Sequence, residues 1–277
     1  MVDPLLNTRL NRRHALRAFG GLGVAVLVAA CADESAESRP EAPGSSSSSA
    51  LPRSSTSSTD AATPTSVFAN DYTATTGKQI PFETAGPFPA DGSNGPNVLT
   101  ELDVVRRDIT RSFAGNSGQA AGLPVALTLR IVDANSGEPL AGSAVYLWHC
   151  TADGKYSIYE IEDQNYLRGV QVADESGIVT FDTVFPGCYG GRWPHCHFEV
   201  FDSLGVATSG RQARRTSQLA FPEIACREVY ASDQYGDSSA NLDLLALSND
   251  LAFRDGSEHQ LAEVDLESST VDLLVRV

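Results

Sequence analysis

The strongest constraint on the fold is a regular alternation of apolar and polar residues that begins at Pro124. In the segment PVALTLRIVD (124–133), every second residue is apolar, which is typical of a strand with one buried face. The residues on that face are Val125, Leu127, Leu129 and Ile131. The next segment, ANSGEPLAG (134–142), is rich in residues that favour turns, so the strand is predicted to end there.

Short strands with turns between them continue towards the end of the chain. The further predicted strands are SAVYLWHC (143–150), LRGVQVAD (167–174), GIVTFDTVF (177–185), PHCHFEVFD (194–202), SQLAFPE (217–223) and VDLLVRV (271–277). The sequence shows no long amphipathic helix between residues 124 and 210. This pattern predicts an all-β sandwich or barrel. VRRDITRSF (105–113) is compatible with either a strand or a short helix.

The N-terminal residues have the features of an export signal. Arg12 and Arg13 precede an apolar run, residues 18–30, that is shorter than the roughly 20 residues needed to span a bilayer. The run ends in LVAAC (27–31), in which small residues precede a cysteine. We therefore predict a signal peptide of the twin-arginine, lipoprotein type at residues 1–30, with Cys31 as the lipidated N-terminus. The alternative is an ordinary signal peptide followed by an incidental cysteine.

The composition changes after the apolar run. Residues 32–66 are rich in Ser, Thr, Ala and Pro, so residues 31–66 are predicted to form the lipidated Cys31 and a disordered linker. The folded domain is predicted at residues 67–277. The formal net charge of −15 argues against nucleic acid as a partner. Contact with a membrane is expected only through the lipid anchor, at the cell envelope or extracellular face.

The segment HCHF (195–198) is the clearest local sign of chemistry. His195 and His197 are two residues apart on a predicted strand, so both imidazoles leave the same face and can share a metal ion. The alternative is that this spacing arose by chance and the histidines cap a sheet. Imidazole suits several metals. A zinc hydrolase is therefore also possible, with Glu199 on the same face as a third ligand.

Two tyrosines are candidate further ligands. Tyr156 lies in DGKY and Tyr189 in PGCY, both at predicted junctions between a turn and a strand. A phenol has a pKa near 10, so it binds as phenolate only to a strong Lewis acid, and ferric iron fits better than zinc. The alternative for each tyrosine is a core or rim aromatic with a hydrogen-bonded hydroxyl.

Several segments together resemble the intradiol ring-cleavage dioxygenases, which open catechol and protocatechuate rings. The matching segments are VYLWHCTADGKYS (145–157), NYLRGVQVADESGIVTFDTVFPGCY (165–189) and RWPHCHFEV (192–200), with weaker matches at ETAGPFPADG (83–92) and TSQLAFPE (216–223). The resemblance covers most of residues 80–223. It implies a β-sandwich of the transthyretin (prealbumin)-like type with long irregular connections.

The resemblance also implies a site and a reaction. Its ferric ligands are expected to be Tyr156, Tyr189, His195 and His197. Arg192 and Gln218 match the active-site arginine and glutamine of the family. The implied reaction opens a small aromatic diol with O₂ between its two hydroxylated carbons and gives a cis,cis-muconate-type diacid, with Tyr189 as the tyrosinate that the substrate displaces.

The resemblance leaves some points open. Only five residues separate Tyr189 from His195, fewer than in many family members, so the substrate could be catechol, hydroxyquinol, protocatechuate or a lignin fragment. The oligomeric state is likewise open. The alternative function is a transthyretin-like binding module on an envelope lipoprotein, because residues 124–148 suit that class as well. Such a module would have no need of two tyrosines and two histidines at one place.

Neighbouring residues have structural interpretations. Trp148 is predicted to be a core residue rather than a surface for stacking the substrate, and His149 is predicted to be structural. Arg192 could instead be a partner in a surface salt bridge. An exported protein meets an oxidising environment, so one or two disulfides are expected, with Cys150 and Cys188 as a guessed pair. Cys196 and Cys226 are the other two cysteines of the domain, and the absence of C-x-x-C spacing disfavours a structural zinc site.

Overall fold

The computed structural model describes residues 76–277. The predicted signal peptide, the lipidated Cys31, the linker and the first nine residues of the predicted domain (67–75) lie outside the described residues. Within residues 76–277, no helix has both the length and the apolar character needed to cross a membrane.

Eight strands form two four-stranded sheets in the described part of the chain. In chain order they are β1 (Pro124–Val132), β2 (Ala144–Trp148), β3 (Arg168–Val172), β4 (Ile178–Val184), β5 (His195–Phe201), β6 (Arg215–Ala220), β7 (Glu263–Asp265) and β8 (Thr270–Arg276). The first sheet has the order β4-β1-β8-β7 and the second has the order β3-β2-β5-β6. Neighbouring strands pair antiparallel except β1 and β8, which are parallel.

Helices in residues 76–277 are short and lie outside the sheets. They are α1 (Leu204–Ala207), α2 (Glu223–Val229) and α3 (Ser238–Asp243), with single 3₁₀ turns at Val98–Thr100, Asp233–Tyr235 and Leu247–Asn249. Residues 223–249 join β6 to β7, and their side chains contact the connection between β4 and β5 at Pro186 and Cys188.

The main core lies between the two sheets. Alternate residues of β1, among them Leu127 and Leu129, are fully buried there, as the period-two pattern predicts. Polar residues on its other face, Thr128 and Arg130, are buried as well, which that pattern did not predict. From the second sheet, Leu147 of β2 and Phe198 of β5 contribute to the same apolar cluster. Removal of these apolar side chains from water is the main force that holds the sheets face to face.

The second sheet is also covered on its other face. All five residues of β2 are buried, and all seven of β5. Tyr146 and Trp148 of β2 form a second apolar cluster there with residues of the long irregular segment 76–123, such as Phe113. Polar residues on that face of β5 are therefore enclosed, although the outer face of a sheet in a sandwich is ordinarily exposed to water.

The predicted all-β sandwich is confirmed. Each strand predicted from residue 124 onward is present, with ends that differ by a few residues. The undecided segment 105–113 is neither a regular strand nor a helix, since it joins its neighbours only through isolated bridges such as Val105 to Val170. The helices between residues 223 and 243 and the short strand β7 were not predicted.

Candidate metal centre

Strand β5 brings two imidazoles together. His195 and His197 are alternate residues of this inner strand, and both are buried. Their Nε2 atoms are 3.1 Å apart. Cys196, between them in sequence, belongs to the core between the sheets. The predicted placement of both histidines on one face is confirmed.

Contacts around the two rings fix their orientation. The Nδ1 atom of His195 lies 2.5 Å from the carbonyl oxygen of Trp193, so it must donate a proton there, and Nε2 is left as an unprotonated ligand atom in the neutral ring. The indole of Trp148 stacks on the His197 ring with 5.0 Å between centroids and a 5° angle between planes. Trp148 is buried, as predicted, and it also supports a candidate ligand.

The two tyrosines complete the cluster from irregular connections. Tyr156 lies between β2 and β3, and Tyr189 lies between β4 and β5. The predicted position at junctions between turns and strands is therefore wrong, because neither tyrosine adjoins a strand of a sheet. The hydroxyl oxygen of Tyr189 is 3.3 Å from His195 Nε2 and 3.4 Å from the hydroxyl oxygen of Tyr156.

The spacing of these four atoms fits ligation of a single ion. Ligand atoms about 2.0–2.1 Å from one metal, at angles between 90° and 120°, are about 2.9–3.6 Å from one another. Successive atoms of the cluster are 3.1, 3.3 and 3.4 Å apart. Two phenols and two imidazoles can thus converge on one ion, and we refer to Tyr156, Tyr189, His195 and His197 as the four-residue cluster.

A site built only from imidazole, thiol and carboxylate groups does not fit. Among residues 76–277, no three or more His, Cys, Asp or Glu side chains are grouped so that they could hold a metal ion. Glu199 accepts a hydrogen bond from the hydroxyl of Thr216 and lines a separate cleft with Asp91. The zinc hydrolase hypothesis, which needs Glu199 as the third ligand, is therefore not supported.

Burial controls the protonation of the cluster. It raises the pKa of Tyr189 to about 12 and that of Tyr156 well above its usual value. It lowers the pKa of His195 to about 3, and that of His197 well below its usual value. Both imidazoles are therefore neutral at physiological pH, which is the form that binds metals. A bound cation reverses this effect for the phenols, since its charge stabilises phenolate.

Arg192 is held beside the cluster by two partners. Its Nε donates to Asp250 Oδ2 at 2.9 Å, and its Nη2 donates to Gln218 Oε1 at 2.5 Å. Gln218 pairs with His197 across the sheet, and its side-chain amide donates to the carbonyl oxygen of Thr84 at 2.8 Å. The structure thus places both predicted residues, Arg192 and Gln218, next to the candidate ligands.

Asp250 is the residue that the sequence did not indicate. Its side chain is 2% exposed and that of Arg192 is 11% exposed, so the pair is buried and Arg192 is not a surface salt-bridge residue. Burial alone would raise the pKa of Asp250, but hydrogen bonds from Arg192 and from the backbone N–H groups of Ala252 and Trp193 lower it. Asp250 lies 58 residues after Arg192, outside any recognisable pattern, so the sequence held no signal for it.

A glycine lets the 83–92 segment reach the cluster. Gly86 has a φ of +71°, and a Cβ atom there would lie 3.2 Å from His197 Cε1. A side chain at this position would need both a strained backbone and a shift of the imidazole. The segment therefore covers His197 closely.

The remaining predictions concern nearby residues. The guessed disulfide is wrong, because the four cysteines after residue 75 are buried free thiols. The sulfur of Cys150 points to the carbonyl oxygen of Gly187, while that of Cys188 points to the carbonyl oxygen of Arg192. His149 hydrogen bonds to the Cys150 carbonyl and the Thr183 hydroxyl, at 2.7 Å each, which agrees with its predicted structural role.

Comparison with known proteins points to one family. Residues 94–225 match the family model described as Dioxygenase. A chlorocatechol 1,2-dioxygenase of Rhodococcus opacus is 39% identical over 56 residues, which is 20% of this chain and 22% of that protein. A catechol 1,2-dioxygenase of Pseudomonas sp. (strain EST1001) is 36% identical over 56 residues, 20% of this chain and 18% of that protein. The match thus spans about a fifth of the length of these curated relatives.

A solved structure extends the likeness to the whole domain. An intradiol ring-cleavage dioxygenase from Tetranychus urticae superposes with a TM-score of 0.58 at 23% identity, covering 72% of this chain and 94% of that one. The predicted resemblance to the intradiol ring-cleavage dioxygenases is confirmed. The described domain has the fold of that family. All four residues of the cluster fall within the matched residues 94–225.

Proposed function

We propose that this domain opens the ring of a catechol-type diol with O₂, between the two hydroxylated carbons, to give a cis,cis-muconate-type diacid. The observation that supports this most directly is the convergence of two phenol oxygens and two imidazole nitrogens, with successive atoms 3.1–3.4 Å apart. The curated relatives that share part of this sequence are named catechol and chlorocatechol 1,2-dioxygenases.

We assign ferric iron to the cluster from the chemistry of its donors. Two phenolates offer hard, anionic oxygens, which favour a trivalent ion over zinc or a ferrous ion. Neutral imidazole suits iron as well. When bound, a ferric ion would supply the Lewis acidity that draws charge from the diol oxygens and makes the ring reactive towards O₂.

Tyr189 is the residue that we assign to take up a substrate proton. Burial raises the pKa of its phenol to about 12, above the value near 10 of an ordinary phenol. Its phenolate is thus a stronger base than the phenolate of the diol, whose hydroxyl groups are ordinary phenols. The proton therefore moves to the Tyr189 oxygen, and the diol binds as an anion.

Arg192 is assigned to the negative charge that develops on the substrate. Its contacts with Asp250 and Gln218 fix the plane of the guanidinium before the substrate binds. A donor that is already oriented stabilises developing charge without reorganising during the reaction. Gln218 is assigned to orient Arg192, since its amide bridges Arg192 and the carbonyl oxygen of Thr84.

Oxygen uptake and colour test this function. The purified domain, loaded with Fe(III), is expected to absorb visible light through its tyrosinates and to consume O₂ with at least one member of a panel of catechol, hydroxyquinol and protocatechuate. The product should absorb as a ring-opened diacid. A colourless protein that retains only zinc, or a coloured one that consumes O₂ with none of these diols, would refute the proposal.

A matched variant guards against loss of function through misfolding. His195→Ala is expected to abolish both the visible band and ring cleavage. Tyr230→Phe removes a buried hydroxyl that donates to the Pro186 carbonyl and to none of the four candidate ligands, so it should leave both unchanged. If His195→Ala kept the parental rate, the ligand assignment would be wrong. A binding module without activity would show neither the band nor O₂ uptake in any variant.

For the N-terminal residues, we propose export by the twin-arginine route and anchoring through lipid on Cys31. The support is the order of Arg12–Arg13, the apolar run and LVAAC (27–31). Cys31→Ser should move the protein from the membrane fraction to the soluble envelope fraction. Parent and variant protein in the same fraction would contradict the anchor.

A further inference from the structure

Arg168 is a fully buried arginine whose hydrogen bonds all go to neutral oxygens. It is the first residue of β3 and is 0% exposed. Its Nε donates to Ser157 Oγ at 3.0 Å, and its Nη2 donates to the Ser157 carbonyl at 3.0 Å. Its Nη1 donates to the carbonyls of Phe88 at 2.7 Å and Pro89 at 3.2 Å, and lies 3.4 Å from the Tyr146 hydroxyl.

Apart from the Tyr146 hydroxyl on β2, these acceptors belong to two irregular segments that meet at one candidate ligand. Ser157 directly follows Tyr156, while Phe88 and Pro89 belong to the 83–92 segment that covers the cluster. The ring of Phe88 packs on the ring of Tyr156 with 4.8 Å between centroids. The guanidinium therefore links the backbone of Ser157, next to Tyr156, with the backbone of Phe88, whose ring packs on the Tyr156 ring.

Few other side chains could make this connection. Burial of a charge away from water is costly unless its donors are satisfied, and a planar guanidinium presents five donors in a fixed fork. Lysine carries the same charge but only a compact ammonium, which cannot reach acceptors on both segments in one plane. The position thus needs the shape of the arginine and not just its charge.

We propose that Arg168 is a positioning residue for the metal centre: its guanidinium ties Ser157 to Phe88 and Pro89 and so holds the Tyr156 phenol in place. This inference rests on the proposed ligand role of Tyr156. It gives β3 a part in the site, although the four candidate ligands lie on β5 and on two irregular connections.

The first test uses metal-free protein, so that it does not depend on the proposed metal. Hydrogen–deuterium exchange is measured on the parent, on Arg168→Lys and on Ser217→Ala. In Arg168→Lys, amides of residues 86–92 and 156–161 are expected to exchange at least about tenfold faster, while those of β1 and β8 stay protected. Equal exchange in the parent and Arg168→Lys would show that Arg168 does not hold the two segments together.

The control lies on the same sheet as Arg168, and the second variant removes one of the acceptors of Arg168. Ser217 on β6 is a buried serine whose hydroxyl has no hydrogen-bond partner in the described structure, so its loss should change neither segment. Ser157→Ala removes one acceptor of Arg168 and is expected to accelerate the same amides by a smaller factor. It replaces Arg168→Lys if that variant does not fold, and parental exchange in it would then overturn the tie.

The second test asks whether the tie acts on the ligand. With Fe(III) bound, Arg168→Lys is expected to lose iron to a chelator about 10-fold more readily, as for other residues that support metal ligands. Its visible band should shift even when compared at equal iron content, whereas simple destabilisation would lower the occupancy without moving the band. An unchanged band with faster exchange would show that Arg168 orders the loops but not Tyr156. A parent protein that binds no iron would instead refute the proposed function, and the exchange result would be unaffected.

Discussion

The two candidate tyrosine ligands are held in opposite ways. Tyr156 is 1% exposed; its ring packs on Phe88, and its backbone N–H donates to Glu160 Oε2. Tyr189 is only partly buried and is followed by Gly190 and Gly191, which are both exposed. The Tyr156 side chain is thus enclosed, while the chain directly after Tyr189 is exposed to solvent.

This difference suggests a division of roles between the two phenols. A ligand that is enclosed on all sides keeps the ion in place when another ligand leaves. A ligand on an open, glycine-flanked segment can swing away when a substrate arrives, since the backbone there meets little steric resistance. We therefore expect Tyr156 to determine how well the metal is retained and Tyr189 to determine how well the substrate is activated.

The largest expected effect separates those two roles directly. Tyr189→Phe should keep most of the bound iron but lose ring cleavage by about 10²–10⁴-fold, because the base for the substrate proton is missing. Tyr156→Phe should lose iron much more readily than Tyr189→Phe. Iron content after chelator treatment and O₂ uptake at equal iron content measure the two effects.

The opposite pattern would break the comparison. If Tyr189→Phe lost the iron and Tyr156→Phe kept it, the enclosed phenol would not be the anchoring ligand. Tyr230→Phe serves again as the control, because Tyr230 is buried and its hydroxyl bonds to Pro186 and to neither candidate tyrosine.

Much of this arrangement could be predicted from the sequence, for identifiable reasons. The period-two pattern at residues 124–133 predicted β1, because a strand that packs on a core needs one apolar face, although both faces of β1 are in fact buried. The H-x-H spacing placed His195 and His197 on one face because side chains alternate along a strand. The tyrosines were selected by resemblance and not by spacing, because they come from irregular loops whose path depends on packing with distant segments.

Contacts between distant segments were not predictable. Asp250 reaches Arg192 across 58 residues, and Arg168 reaches Phe88 across 80. Neither pair leaves a periodic trace in the sequence. The helical region after β6 also has short elements, and helices of six or seven residues give weak periodic signals.

The next largest effect concerns the fixed end of the Tyr189 segment. Asp250 accepts hydrogen bonds from Arg192 and from the backbone N–H of Trp193, so it anchors the chain just beyond the open glycines. Asp250→Asn removes its charge and should lower kcat/KM by about 100-fold, because small displacements of a catalytic group cost that much. Iron retention should be nearly parental, since Tyr156 is untouched.

The matched control for that variant is Asp243→Asn. Asp243 pairs with Arg227 on the surface, where ion pairs contribute little, so activity should remain parental. An Asp250→Asn protein with parental kcat/KM would mean that Arg192 does not need this anchor.

A smaller effect tests whether the Tyr189 segment can shift its position. Gly154 has a φ of +80°, and a Cβ there would lie 3.0 Å from Tyr189 Cβ; Gly142 has a φ of +79° with open space around it. Both alanine variants should lose about 1 kcal/mol of unfolding free energy through backbone strain. If the Tyr189 segment shifts easily, Gly154→Ala should lose little more than Gly142→Ala, while its iron-loaded form alone shows a shifted visible band. A much larger loss in Gly154→Ala would show that Tyr189 is held as rigidly as Tyr156.

The smallest effect appears in acid, in metal-free protein. The pKa of Asp250 is lowered from 3.8, so the unfolded chain binds its proton more readily than the folded one, and the stabilisation from Asp250 is present above pH 3.8 and is lost as the pH falls below it. The acceptors of Arg168 are neutral oxygens, so its hydrogen bonds do not depend on a carboxylate. Amides of residues 189–193 should therefore lose protection against exchange at a higher pH than those of Ile158, Glu160 and Ile161, which donate to backbone carbonyl oxygens, when each rate is corrected for the intrinsic effect of pH. In Asp250→Asn the first segment should already be less protected at neutral pH and should change little on acidification. Both segments could instead lose protection at the same pH, in the parent and in Asp250→Asn alike. That result would mean that one cooperative opening governs both tyrosines, and the distinction between a fixed and a movable ligand would be wrong.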